Sequence, residues 1–97
     1  MIKKDNTILE LIERLRSVFD FNLVQIVDYW DSDLCAIGFK KSNKLIYIST
    51  FNYVNIELKY DYDLETIDDA NDYNVVKEGR AVSIEELIKD MQLFFKN

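Results

Sequence analysis

Ninety-seven residues suffice for one hydrophobic core and leave no room for two. Hydrophobic residues at 48% against 31% charged describe a globular chain and exclude disorder. One cysteine and no histidine exclude an internal disulfide and a Cys/His metal site, and a net charge of −6 argues against general nucleic-acid binding, which needs cations at phosphates.

The first predicted element is a helix. Thr7 and Glu10 have capping-box spacing, and Ile8, Leu11, Ile12, Leu15, Val18 and Phe19 recur on one helical stripe. Asp20 and Asn22 favour the turn that ends it. Leu23–Trp30 is β-branched and aromatic and reads as a strand; Asp31, Ser32 and Asp33 form a turn. Leu34–Phe39 is a nearly continuous apolar run and a second strand, with Cys35 as a small buried hydrophobe and Gly38 as a bulge or close approach. Lys40–Lys44 is a hairpin tip centred on Ser42 and Asn43, with lysines that protect the edge, and Leu45–Thr50 returns as a third strand.

Val54, Ile56, Leu58, Tyr60 and Tyr62 alternate with Asn55, Glu57, Lys59, Asp61 and Asp63, so a fourth strand is expected with one face in the core. Leu64–Asp72 reads as an exposed acidic loop, with a short helical turn at Leu64–Ala70. Tyr73–Lys77 is a fifth strand, broken by Glu78 and Gly79. Ser83 and Glu86 begin a last helix with Ile84, Leu87, Ile88, Met91, Phe94 and Phe95 on its apolar stripe. The expected fold is a single α+β domain: an N-terminal helix, an antiparallel meander of four to five strands and a C-terminal helix, with the helices packed on the sheet.

The net charge has an address. Residues 57–72 carry Glu57, Asp61, Asp63, Glu65, Asp68, Asp69 and Asp72 against Lys59, which is −6, while the remainder balances at 11 acids and 11 bases. Such a patch steers association with an oppositely charged partner. Tyr53, Tyr60, Tyr62 and Tyr73 flank it, and Tyr73 is the best placed for an interface, since tyrosine brings large area with a polar tip. Tyr29 and Trp30 beside Asp28, Asp31 and Asp33 make a second aromatic-acidic cluster. The candidate partner-binding set is therefore Asp61, Asp63, Glu65, Asp68, Asp69, Asp72, Tyr73, Trp30, Asp31 and Asp33.

No nucleophile has a histidine to activate it, and no Gly-rich phosphate loop occurs, so no catalytic residue, metal site or cofactor is assigned. One enzyme pattern competes: Glu57-Leu58-Lys59, with Asp28, Asp31 and Asp33 upstream, resembles the D…E-x-K signature of restriction-type nucleases. That likeness implies magnesium held by carboxylates and a lysine polarising the attacking water. A cross-strand salt bridge is the simpler account of the pair, because an acidic surround repels a polyanion.

With its carboxylate-rich, tyrosine-flanked segment 57–73, its small size and its lack of catalytic motifs, the chain resembles the immunity proteins of bacterial contact-dependent growth inhibition and polymorphic toxin systems. The resemblance covers the whole chain in size and layout and carries no residue assignments. It implies a cytoplasmic, monomeric protein that binds a basic toxin domain, commonly a nuclease, with neither direct nucleic-acid nor membrane contact. A non-catalytic regulatory or assembly subunit is the remaining alternative. No apolar run approaches the ~20 residues of a membrane span, and Glu10, Glu13 and Arg14 interrupt any apolar segment of a signal peptide.

Overall fold

A computed structural model describes residues 3–29, 32–53 and 57–96. Trp30, Asp31, Val54, Asn55 and Ile56 lie outside the described residues, so the expectations placed on them have no structural counterpart here. The order is α1 (Asn6–Arg16), β1 (Gln25–Val27), β2 (Ala36–Lys41), β3 (Lys44–Ser49), a 3₁₀ turn (Phe51–Tyr53), β4 (Tyr60–Ile67), β5 (Tyr73–Val82) and α2 (Ile84–Phe94). The five strands form one antiparallel sheet in the order β1-β2-β3-β4-β5, a meander without crossovers. Mixed α+β architecture with a helix at either end is thus the fold.

Both helices cover the same face. Ile8, Leu11, Ile12 and Leu15 of α1 and Leu87 and Met91 of α2 pack on Ile37, Phe39, Ile46, Ile48, Tyr60, Tyr62 and Leu64. Alternation explains which strand residues take part: in β4, Tyr60, Tyr62 and Leu64 point to the helices, and Asp61, Asp63 and Glu65 point the other way.

Several boundaries differ from expectation. The cap of α1 is Asp5, whose carboxylate accepts from the Thr7 N–H at 2.9 Å; the Thr7 hydroxyl turns to Asp5 and to Thr50 (2.7 Å). Helix α2 starts as expected, with the Ser83 hydroxyl accepting from the Glu86 N–H at 3.1 Å. The fourth strand begins at Tyr60 and runs to Ile67, so Leu64–Ile67 is strand rather than loop or helical turn. Pairing with β3 and β5 on both sides holds it, and its acids face away from the core. The acidic loop is reduced to Asp68–Asp72.

The fifth strand passes through Glu78 and Gly79 to Val82. Gly79 is needed there: a Cβ would stand 2.2 Å from Cε2 of Tyr62, whose ring covers it. The tip lysines also have structural partners. Lys41 donates to the Phe95 carbonyl at 2.8 Å and Lys44 lies 5.7 Å from the Phe94 ring centroid, so the β2–β3 tip brings cations to a helix end that has none of its own.

Candidate functional site

The sheet face away from the helices is set by register. One cross-strand row reads Val27, Gly38, Tyr47, Asp63, Glu78, and the next reads Gln25, Lys40, Leu45, Glu65, Val75. Two β-bulges in β5 decide what its edge adds. Tyr60 pairs with Val82 and Tyr62 with Gly79, so one extra residue sits at Arg80–Ala81; Leu64 pairs with Lys77 and Glu65 with Val75, so Val76 is extra. The first bulge turns Gly79 under Tyr62 and Lys77 toward α2, where it lies 3.8 Å from Asp90. The second returns Val75 and Tyr73 to the helix-free face beside Glu65.

The acids on this face do different jobs. Asp61 is a structural hub: it accepts from the Ala81 N–H (2.9 Å), the Tyr53 hydroxyl (2.8 Å) and the Asn52 amide (3.2 Å). Ala81 has φ 54°, and this N–H bond secures the left-handed residue at the bulge. Burial pushes the Asp61 carboxyl up, but these hydrogen bonds and the nearby Arg80 outweigh it and hold the group below the ordinary value. Asp63 pairs with Arg80 at 3.1 Å, and Arg80 also reaches Glu78 at 3.6 Å and the Tyr62 carbonyl at 2.9 Å. Arg80 thus softens the field within the acidic row, which a tally along the chain misses because Arg80 arrives from the neighbouring strand.

Glu65 is different. It makes no ion pair among the described residues, and burial, followed by the charge of Asp63, pushes its carboxyl above the ordinary value. At the hairpin end, Asp68 organises the loop by accepting from the N–H groups of Ala70 (2.9 Å) and Asp72 (3.0 Å), with Asn71 at φ 64°. Asp69 and Asp72 are exposed beside it.

Of the residues expected on the β1–β2 connection, Asp33 and the neighbouring Tyr29 are described and approach this face, while Trp30 and Asp31 lie outside the described residues. Lys4, with a fully buried side chain, pairs with Asp28 at 2.8 Å and donates to the Asp33 carbonyl at 2.8 Å. Asp33 accepts from the Cys35 N–H at 3.0 Å, and its charge is felt by Tyr47 together with that of Asp63. Tyr29 lies beside Tyr73, close enough to raise the titration of its hydroxyl. Tyr29, Leu45, Glu65 and Tyr73 line an open cavity of about 400 Å³. The sequence singles out Tyr73, Tyr29 and Glu65 separately and misses Leu45, whose burial on the helix-free side has no signal in a strand that also feeds the core.

The Glu57-Leu58-Lys59 pattern lies ahead of β4 rather than in a strand, and its acid and base pair with each other at 2.9 Å. It borders a second cleft, of about 500 Å³, with Glu10, Arg14, Ser83 and Glu85, where Arg14 and Glu85 approach to 3.9 Å. Asp28 is instead bound to Lys4, and among the described residues no three acidic or sulfur side chains converge as a metal site. No described helix is long and apolar enough to cross a membrane. Comparison of the chain with protein-family models, with curated proteins and with solved structures finds no match.

Proposed function

We propose that this chain is a small cytoplasmic binding protein that neutralises a basic toxin domain, a nuclease by the charge argument, through its helix-free sheet face. The supporting observation is that Asp63 and Glu65 stand on one rigid sheet face next to Tyr29, Tyr47 and Tyr73, with Asp69 and Asp72 exposed at its end. A nuclease needs a positive cleft for its substrate, and an acidic face occupies such a cleft or its rim. Peripheral charges set the rate of encounter, and aromatic anchors set the lifetime of the complex.

The test is co-expression with the domain encoded immediately upstream, followed by association kinetics. The chain is expected to rescue growth from that domain and to bind it with an on-rate that falls steeply with salt. Reversing Asp69 and Asp72 to lysine, leaving Asp68 to hold the loop, should slow association about tenfold at low salt with the fold intact. A salt-independent on-rate, or an upstream domain that is neither toxic nor basic, sinks the reading.

The nuclease alternative predicts magnesium-dependent cleavage abolished by Lys59→Ala, and the pairing of Glu57 with Lys59 away from Asp28 does not favour it.

A further inference from the structure

The cavity lined by Tyr29, Leu45, Glu65 and Tyr73 has a composition that selects its occupant. Leu45 forms an apolar floor, only 1% exposed although it lies on the face that no helix covers. Register fixes Glu65 directly beside it, on the neighbouring strand. Tyr29 and Tyr73 supply the walls; they are 54% and 46% exposed. Lys40 is the basic residue in the same cross-strand row, with Leu45 between it and Glu65, and it makes no ion pair with Glu65.

Each class of occupant meets this set differently. An anion is repelled by Glu65 and Asp63. A purely apolar group covers Leu45 but leaves the Glu65 carboxylate desolvated and unneutralised. An ammonium is a strongly hydrated point charge and gains little from flat aromatic walls. A guanidinium is planar and weakly hydrated, stacks on tyrosine and forms two parallel hydrogen bonds to a carboxylate, while its methylene stem suits a leucine floor. The raised carboxyl of Glu65 is that of an acid short of a cation.

We propose that this cavity is the socket for one arginine side chain of the protein partner, its guanidinium stacked on tyrosine and paired with Glu65. The proposal rests on the reading of the chain as a binder of a basic protein, and narrows that surface to a single anchoring contact.

The experiment needs no partner. The peptide acetyl-Gly-Arg-Gly-amide is titrated into the labelled protein at fixed ionic strength, with citrulline and lysine versions as controls, and followed by amide and aromatic resonances. Saturable shifts are expected at Tyr29, Leu45, Glu65 and Tyr73 with a Kd on the order of 1–10 mM. The neutral citrulline peptide should give none, and the lysine peptide should bind at least about fivefold more weakly. Glu65→Gln, which keeps the shape, and Tyr73→Ala, at an exposed edge position, should each weaken the arginine peptide about tenfold.

Equal binding of arginine and lysine peptides, shifts spread along Asp61–Asp72 instead of the cavity, or no saturable shift overturns the socket. So does undiminished binding in both variants. The arginine–citrulline contrast on the unaltered protein decides the matter if a variant fails to fold. Partner binding that survives Glu65→Gln and Tyr73→Ala but is lost on reversal of Asp69 and Asp72 overturns the socket alone and leaves the proposed function standing. Arginine-selective peptide binding without any basic partner supports the socket and overturns the toxin reading.

Discussion

Gly79 lies beneath the Tyr62 ring, and the Tyr62 hydroxyl donates to Asp90 of α2. One absent side chain therefore lets a sheet residue bond to the C-terminal helix. Burial first, then the bond to Asp90, pushes the Tyr62 hydroxyl far above its ordinary value, so it stays a donor at any pH of interest. Gly79→Ala should cost about 1–3 kcal/mol by forcing the ring off its seat. The loss should register as a lower urea midpoint, and an unchanged midpoint refutes the packing argument. This role was illegible in the sequence. Glu78-Gly79 looks like a strand breaker, and nothing local says that the glycine is matched to an aromatic ring on the neighbouring strand. Tyr62 itself was legible, because alternation assigns it to the core.

At the scale of elements, the parts visible in the sequence were those with strict periodicity or a local cap: α1, the β2–β3 hairpin around Ser42-Asn43, and α2 from Ser83. The boundaries that moved depend on partners distant in sequence. Leu64–Ile67 reads as loop because of its acids, yet it is paired on both sides. Lys4 shows the same limit. It reads as one of two N-terminal lysines, and the fold buries it against Asp28 and the Asp33 carbonyl. It thereby ties the start of α1 to the β1–β2 connection, assisted by the Asp5 N–H bond to the Leu34 carbonyl at 2.9 Å. Lys4→Met, which keeps the apolar stem, should lower stability by about 1–3 kcal/mol through the loss of charge-assisted bonds. Amide exchange at Asp5 and Cys35 should quicken at the same time. Protection equal to that of the unaltered protein removes Lys4 from this role.

For the whole molecule, the concentration of charge in 57–72 was readable by counting, and its distribution in space was not. Asp61 and Asp68 hold the bulge and the loop through neutral donors and keep their charge, Asp63 is matched by Arg80, and Glu65, Asp69 and Asp72 have no ion pair among the described residues. This division has a signature in acid. Asp5 is held below its ordinary value of 3.8 by the Thr7 hydroxyl and N–H, and Asp68 by the Asp72 and Ala70 N–H groups against a smaller opposing effect of burial; Asp61 is also lowered, as above. These groups bind fewer protons folded than unfolded. Their contribution is complete above the unfolded pKa and is lost as pH falls through the folded one. Glu65 has the opposite sign: raised from 4.5, it costs stability when ionised, and acid relieves that cost. Urea unfolding between about pH 6 and about pH 2.5 should show a net loss of stability, steepest below the ordinary aspartate value. Asp61→Asn should flatten that fall, and an identical slope in the variant counts against Asp61 as a contributor.

The extra residue at Val76 has a consequence for how such a surface can change. The bulge absorbs that residue, so it alters the length of the strand and not the faces on either side. Removing Val76 closes the bulge and leaves Val75 opposite Glu65, Asn74 opposite Thr66 and Tyr73 opposite Ile67, so the helix-free side and the hydrophobic core both keep every member. The strand is thus free to gain or lose one codon at this point without disturbing its recognition wall, and a change of partner has to come through the side chains themselves.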